Sequence, residues 1–590
     1  MNKETNKTIL QKMKTKYIKY LTCSLGVAFA LSSCTDSFLD KEPDERVELK
    51  TESQVVAFLA TGYSEANYGW LCEISGDNII DNNAPHAPVD EDADKDEIYY
   101  NLPYYDRTDE ELFSFEQGKS SQAQDTPSFL WQQHYHAIAT ANQALQSMEK
   151  IIAENGGVES DKMRAARGEA LLIRAYHHFI LVNVFSQAYK DAEASKHDIG
   201  IPYITEPETT VSPQYDRGNV ADVYDKIQTD LEEGLKYISD INYQKPKWHF
   251  NVNAAHAFAA RFYLYKRDYE KVIEHADAVL GAGDGTTNGM LMTYDGFTEC
   301  TYMDDYANVW QDPDSKNNLM LIATSSVLAR HAQPGLRFTW SGKPLTETIW
   351  YMGPTWGWTI MPTAMVAGYA FSGYSNAEYG FYPAKVGEQF QYTDKVSGVG
   401  YPNIIRREFT AAELLLERAE AKLLGRHDKT GFVADMAAYV KSIQTFDEAN
   451  QAHYGGSGNG LKELTDDIIQ GYFTVPSNPN CFENWNFTQN MSSSFVIPED
   501  LTPYMNCLNL YRRFETLFDG LRFFDLKRFG IEYSHKVGRE GKVIELKWND
   551  PRRALELPQE VISAGLESSW VNTNNMNQGA ASEYMKKSEK

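Results

Sequence analysis

The sequence predicts a mainly α protein: a tetratricopeptide-like helical-hairpin superhelix with a large irregular, loop-rich region. Three observations carry this. Apolar residues recur at steps of three and four over long stretches, consecutive stretches are joined by very short turns, and the segments between are rich in Gly, Trp, Tyr and Pro with weak periodicity.

In chain order, a first helix starts near Glu52 and includes Val55, Val56, Phe58 and Leu59. Over 128–153, Trp131, Tyr135, Ile138, Asn142, Leu145 and Met148 lie on one helical face. Ala166, Ala170, Ile173, His177, Ile180 and Val184 do the same over 161–186, and Asn155-Gly156-Gly157 between them is a stop and turn, so the two form an antiparallel hairpin. The pattern returns over 219–239 (Val220, Val223, Ile227, Leu231, Leu235), 252–266 and 269–281, the last two joined through Lys266-Arg267-Asp268. Alanines interleaved with Tyr and Leu permit the close backbone approach that stacked hairpins need. A later helix opens on a capping box, Thr410 to Glu413, stops at Gly425, and pairs with a helix from Val433 to Phe446. A last helix spans 505–529, with Leu510, Phe514, Leu517, Leu521 and Phe524 at steps 4-3-4-3. The scaffold therefore lies mainly in 128–281 and 405–530, and the irregular loops mainly in 76–127 and 285–405, with a further stretch at 450–503.

The N-terminus is an export signal. Lysines 12, 14, 16 and 19 precede an apolar run from Leu21 to Leu31, too short to span a membrane, and Leu31-Ser32-Ser33-Cys34 closes it. Small residues before a cysteine match the bacterial lipoprotein box, so residues 1–33 form a signal peptide and Cys34 is the acylation site, carrying palmitate-type lipid. Met13 offers a second start, because Met13-Lys14-Thr15-Lys16 alone makes a basic leader. Polar residues 34–50 read as a tether to a mature chain of 34–590.

The full chain carries a net charge of −26; residues 1–33 hold six lysines and one glutamate, so the mature part stands five charges lower, at −31. Such an acidic surface excludes nucleic acid as ligand. Cys72, Cys300, Cys481 and Cys507 have no CxxC spacing, hence neither a zinc pattern nor a dense disulfide framework. HExxH, P-loop, dinucleotide and GxSxG motifs are absent, so no enzyme signature stands out and no cofactor is implied. The acidic run Asp90–Glu97 is the one place for a structural calcium ion, but it lacks the spaced ligands of an EF-hand loop. His177 and His178 fall mid-helix, where packing or hydrogen bonding is their expected role.

Aromatic content is the remaining signal, with 36 Tyr, 28 Phe and 11 Trp. Trp340, Trp350, Trp356 and Trp358 fall within nineteen residues among Gly and Pro, and cannot all fill one regular core face. Exposed indoles are rigid platforms for the C–H faces of sugar rings, and about half of this set is expected to be structural. Tyr99, Tyr100, Tyr104 and Tyr105 make a second cluster, which can equally be a packed loop.

Four regions together resemble the SusD-like (RagB/SusD) outer-membrane nutrient-uptake lipoproteins of Bacteroidetes. They are Cys34 to Pro43; Trp131 to Leu145 with Gly168-Glu169-Ala170, Arg174-Ala175-Tyr176 and Phe179; Leu416-Glu417-Arg418-Ala419-Glu420-Ala421; and Arg513 to Gly530, with Asp550-Pro551-Arg552 and Leu557-Pro558 downstream. Asp519 replaces the usual glutamate before Gly520, and residues 570–590 lack the common Asn-Pro-Gly-Tyr-like ending. The resemblance implies a tetratricopeptide-like scaffold under irregular ligand-binding loops. It also implies a lipid-anchored protein of the outer membrane, facing the cell surface, that captures glycans without cleaving them. Its partner would be a SusC-like TonB-dependent transporter. The family's stacking aromatic lies in a loop resembling Thr355–Thr363, which singles out Trp358 and Trp356, and a second loop corresponds to Tyr99–Tyr105. A peptide-binding member of the same uptake system, a lipid-anchored glycoside hydrolase and a plain helical-repeat adaptor stay open as alternatives.

Overall fold

Helical hairpins dominate the computed structural model, which describes residues 48–84, 102–104, 107–118, 121–208, 213–333, 336–345, 347–348, 366–367, 382–444, 463–474 and 495–570. The chain divides into an N-terminal unit, Met1–Lys50, and a body, Thr51–Lys590. In the body, α1 (Glu52–Leu59) starts on a reciprocal capping box between Thr51 and Gln54. The hairpin follows as α2 (Pro127–Glu154) and α3 (Asp161–Phe185), begun by Thr126 and Ser160, whose hydroxyls accept from Phe129 N and Met163 N. Next come α4 (Val220–Tyr237), α5 (Val252–Lys266) and α6 (Tyr269–Leu280), then α7 (Ala411–Arg426) and α8 (Lys429–Ile443). Consecutive helices pack as the sequence predicts, α2 on α3, α5 on α6 and α7 on α8, while α3 also packs on α4 and α6 on α7.

Small residues and buried ion pairs set how closely the helices approach. A Cβ on Gly168 in α3 would lie 2.7 Å from Ile238 N at the end of α4, so any larger side chain forces the two helices apart. Arg174 of α3 makes two bonds to Asp230 of α4 (2.7 and 2.6 Å) and one to Asn142 of α2 (3.0 Å), tying three helices at one point. His177 and His178 are packing residues: His177 lies 3.0 Å from His134 and 3.1 Å from Gly62 O, and His178 lies 2.8 Å from Arg174 O while accepting from Ile204 N.

Three expectations need correction. The helix predicted over 505–529 is two helices, α9 (Thr502–Glu515) and α10 (Leu521–Arg528). Phe518 and Gly520 take left-handed backbone (φ 62° and 80°) at the corner. A Cβ on Gly520 would also stand 3.0 Å from the Tyr68 ring, so glycine is needed there for conformation and for space. The apolar period survives the break because Leu517 and Leu521 are both buried at the corner, and Arg512 pairs with Asp525 across it (3.0 Å). The capping box at Thr410 is half formed: Thr410 accepts from Glu413 N (3.1 Å), but the Glu413 carboxylate is taken by Arg261 of α5 (2.9 and 2.7 Å). Helix α7 also runs past Gly425, which presses against Tyr269, and ends on left-handed His427.

The third correction is a sheet inside the predicted loop region. β2 (Asn318–Thr324), β4 (Gln389–Asp394) and β5 (Val399–Thr410) form a three-stranded antiparallel sheet in the order β2-β5-β4, and β5 runs straight into α7. Its inner charges close the core: Glu408 accepts from Arg261 (2.6 Å), Arg406 (2.5 Å) and the Tyr68 hydroxyl (2.9 Å), all of them buried. Two shorter pairings matter for the site, β1 (Ile80–Asp81) with β3 (Phe338–Thr339), and the hairpin β6 (Tyr533–Val537) with β7 (Lys542–Leu546). No helix among the described residues is long and apolar enough to cross a membrane.

Candidate ligand-binding cleft

β1 and β3 pair two stretches that precede the aromatic segments in the chain. Ile80 lies opposite Thr339 and Asp81 opposite Phe338, antiparallel, so a stretch that precedes the tyrosine segment in sequence pairs with the stretch just before Trp340. Asn82 reinforces the junction, its backbone N–H donating to Arg337 O (2.7 Å) and its amide to Leu336 O and Thr339 Oγ1 (2.8 Å each). Arg337 is the clamp: it pairs with Asp81 (2.9 Å) and Glu110 (2.9 Å), and its backbone N–H donates to Leu102 O (3.0 Å). Sequence reasoning missed Arg337, because partners more than two hundred residues apart leave no periodic trace.

Beside this junction lies a cleft of about 540 Å³, within the range of small-molecule sites. One wall is Ile79 to Asp81 with Ala84, the next is Pro344 and Glu347, and the far wall is the β6–β7 hairpin with Arg513 at the base. The hairpin is held by Gly538 N donating to Asp81 (2.8 Å), and by His535, whose nitrogens face Phe113 O (2.8 Å) and Gly76 O (2.6 Å) while its ring stacks on Phe113 (4.1 Å). Burial pushes the His535 imidazole below its ordinary range, and the two carbonyls act against that shift.

Every carboxylate on the cleft wall is paired with a cation. Asp77 meets Arg522 (2.5 Å), Asp81 meets Arg337, Glu347 meets Arg513 (2.8 Å), and Glu532 and Glu545 both meet Lys547 (3.2 and 3.6 Å). Burial alone would raise the Asp77 carboxyl, but Arg513 and Arg522 outweigh it and hold the group well below the usual carboxylate range. The wall thus presents ion-paired carboxylates, of which Asp77 and Glu347 are held by the buried guanidinium groups of Arg522 and Arg513. Arg513 is part of the sequence motif quoted above; its partner Glu347 carried no signal.

Of the predicted aromatic residues, Trp340 and Tyr104 are described. Trp340 corrects the expectation of an exposed platform: it is fully buried, its Nε1 donates to Thr348 Oγ1 (3.1 Å), and Phe518 meets it edge-on (6.0 Å). Trp340→Phe is expected to cost about 2 kcal/mol of stability, through lost volume and a lost hydrogen bond, and to leave ligand affinity unchanged. Denaturant melts and binding measured on one preparation check this; a binding loss without a stability loss would restore the platform reading.

Tyr104 is half-exposed, edge-on to His331 (4.4 Å). His331 is fixed by Asp109 (3.0 Å) and by Trp70, which stacks on it (5.3 Å) and donates its own Nε1 to Asp109 (2.7 Å). Next in the chain, Arg330 pairs with Glu388 (2.7 Å). This surface presents an aromatic ring beside a charged pair. Trp350, Trp356, Trp358, Tyr99, Tyr100, Tyr105, Cys34 and the acidic run Asp90–Glu97 lie outside the described residues. Among the described residues no cluster of three or more His, Cys, Asp or Glu is arranged to hold a metal ion.

Residues 37–264 match the SusD-like family model whose description reads "starch-binding associating with outer membrane". Comparison with curated proteins finds no match. Among solved structures, a SusD superfamily protein from Bacteroides thetaiotaomicron is 16% identical, covering 87% of this chain and 98% of its own, at a TM-score of 0.54. One from Bacteroides vulgatus is 18% identical, with coverage of 88% and 99% and a TM-score of 0.54. The surface glycan-binding protein A of Bacteroides fluxus is 15% identical, with coverage of 88% and 98% and a TM-score of 0.50. Identity this low speaks for the fold, and the family model supplies the sequence signature. Residues 37–264 carry the signature of the SusD-like family model, and the body shares its fold with solved SusD superfamily structures.

Proposed function

We propose that the protein is a non-catalytic, cell-surface glycan-binding lipoprotein of the outer membrane. In this reading it captures oligo- or polysaccharide on its aromatic loops and delivers it to a SusC-like TonB-dependent transporter. The observation that supports the reading is the β1–β3 junction, which pairs Ile80 and Asp81 with Thr339 and Phe338, stretches that precede the two aromatic segments in the chain, beside a cleft. The family description supports carbohydrate as the ligand and the outer membrane as the place. Aromatic faces from the two segments stack on sugar rings, while the Arg–carboxylate pairs of the wall bind hydroxyls. A wall whose carboxylates are all ion-paired is poorly suited to general acid catalysis, which needs a carboxyl that keeps its proton near neutral pH.

Native gels containing a panel of polysaccharides, with extended peptides as competitors, test the reading. Retardation by at least one polysaccharide, uncompeted by peptide and with no reducing ends released, is the expected result. Competition by peptide would shift the cargo, and released reducing ends would make the protein a hydrolase. Membrane tethering is checked separately: Cys34→Ala is expected to move the protein from the membrane to the soluble fraction without changing gel retardation. A variant that stays membrane-bound in cells lacking the transporter would overturn the anchor.

A further inference from the structure

We infer that the protein carries a second saccharide site: a cleft on the helical scaffold, bounded by Trp248 and Tyr401, that takes a neutral oligosaccharide. The cleft has a volume of about 570 Å³ and shares no lining residue with the one beside the loops. It goes beyond the function proposed above, which places the sugar on the loops.

Two aromatic rings and several planar polar groups converge there from separate elements. Gln133 and His136 come from α2, Trp248 and His249 from the segment before α5, and Gln391 and Tyr401 from β4 and β5. Gln391 and Tyr401 are directly opposite in the β4–β5 ladder, so both side chains stand on the same sheet face. Trp248 and Tyr401 are half-exposed, which leaves ring surface open to a ligand.

The Trp248 platform is built from beneath. Asn251 donates to Pro246 O (3.0 Å) and Leu319 O (2.9 Å), pinning the one-turn helix Pro246–Trp248 to β2. His249 stacks on Tyr243 (4.5 Å, 10°) and directs Nδ1 at Glu169 Oε1 (2.8 Å). The Tyr63 hydroxyl donates to the same oxygen (2.7 Å) while accepting from Phe250 N (2.8 Å), and Glu169 is 1% exposed. With Nδ1 committed, His249 keeps Nε2 for a ligand. Rings held this firmly lose little entropy when a sugar stacks on them.

The lining also selects the ligand class. Its one charged residue is Glu65, an exposed carboxylate, and no Lys or Arg lines the cleft, so a uronate or sulfated chain is disfavoured. An extended peptide would need an open strand edge, and β2 does not supply one. Ser325 N already donates to Glu65 O (2.7 Å), Leu319 O is taken by Asn251, and Leu321 and Ile322 are buried.

The test uses the full mature chain in detergent carrying Trp358→Ala, titrated calorimetrically with neutral gluco-, xylo-, manno- and galacto-oligosaccharides in α- and β-linked forms. At least one of them is expected to bind. Adding Trp248→Ala or Tyr401→Ala weakens that binding at least tenfold, and Trp248→Phe restores it to within about threefold, with melting temperatures unchanged throughout. The inference is overturned if no neutral oligosaccharide binds this background. It is also overturned if binding ignores Trp248 and Tyr401, if oligogalacturonate binds equally well, or if an unstructured decapeptide competes. Failure of the loop reading looks different: Trp358→Ala would then bind like the parent chain, and Trp248→Ala would remove all binding.

Discussion

Arg261→Met is expected to remove about 3–5 kcal/mol of folding stability, a large fraction of what holds a native chain together. Arg261 is buried where α5, α7 and β5 meet, and it neutralises Glu413 with two bonds and Glu408 with a third. Glu408 keeps Arg406 as a partner, so Glu413 is the charge left stranded. Replacing both ends, Arg261→Met with Glu413→Leu, should recover a large part of the loss, because the penalty belongs to the stranded carboxylate and not to the missing pair. Urea midpoints of the single and double variants measure this; a double variant no more stable than the single would show that the arginine acts mainly through packing.

The same cluster fixes a pH dependence. Burial acts to raise the Glu408 carboxyl, but Arg406 and Arg261 together outweigh it and hold the group below its ordinary range. A carboxyl depressed in the folded state stabilises the fold above its unfolded value, near pH ~4.3, and that stability is lost as pH falls through the folded value. Arg261→Met weakens the depression, so its acid-unfolding midpoint should lie at higher pH than that of the parent chain.

Trp358→Ala is expected to weaken strongly the retardation in gels containing the polysaccharide that the parent chain binds, leaving at most what the Trp248–Tyr401 cleft retains. A stacking indole at the centre of a small wet site contributes about 2 kcal/mol or more, roughly a thirtyfold loss in affinity. An exposed groove keeps its remaining contacts hydrated, so little is left to compensate. Melting temperature should hardly change. Unchanged retardation would move the platform to another aromatic of the same loops, and Trp356→Ala and Tyr104→Ala would then be the variants to measure.

The hairpins were legible because each helix buries one face, which imposes a period of 3.6 on the sequence; the ranges expected for α2, α3, α5 and α6 fall within a residue of those observed. The break before Gly520 was not, since Leu517 and Leu521 stay apolar on both sides of the corner and keep the period intact. β5 was invisible for the opposite reason. Arg406 and Glu408 are buried charges that pair with each other, and buried Arg407 lies over the Trp310 ring and 3.9 Å from Glu515, so a core strand reads as a polar loop. β2 is a short apolar run buried on both faces, without the alternation that marks a half-exposed strand. Trp340 misled because nothing local separates a buried indole from an open one; its burial depends on Phe518, far along the chain. The likeness in residues 513–530 was more informative about kinship than about geometry, since it includes Arg513 but says nothing of Glu347.

A crystal structure of the mature chain with a fragment of the polysaccharide it retains best tests the central claim most directly. The account predicts sugar rings at the cleft between β1 and the β6–β7 hairpin, stacked on aromatics of the two loops and hydrogen-bonded to the Arg513–Glu347 or Arg337–Asp81 pairs. Sugar bound only elsewhere, with that cleft empty at saturating ligand, would contradict it.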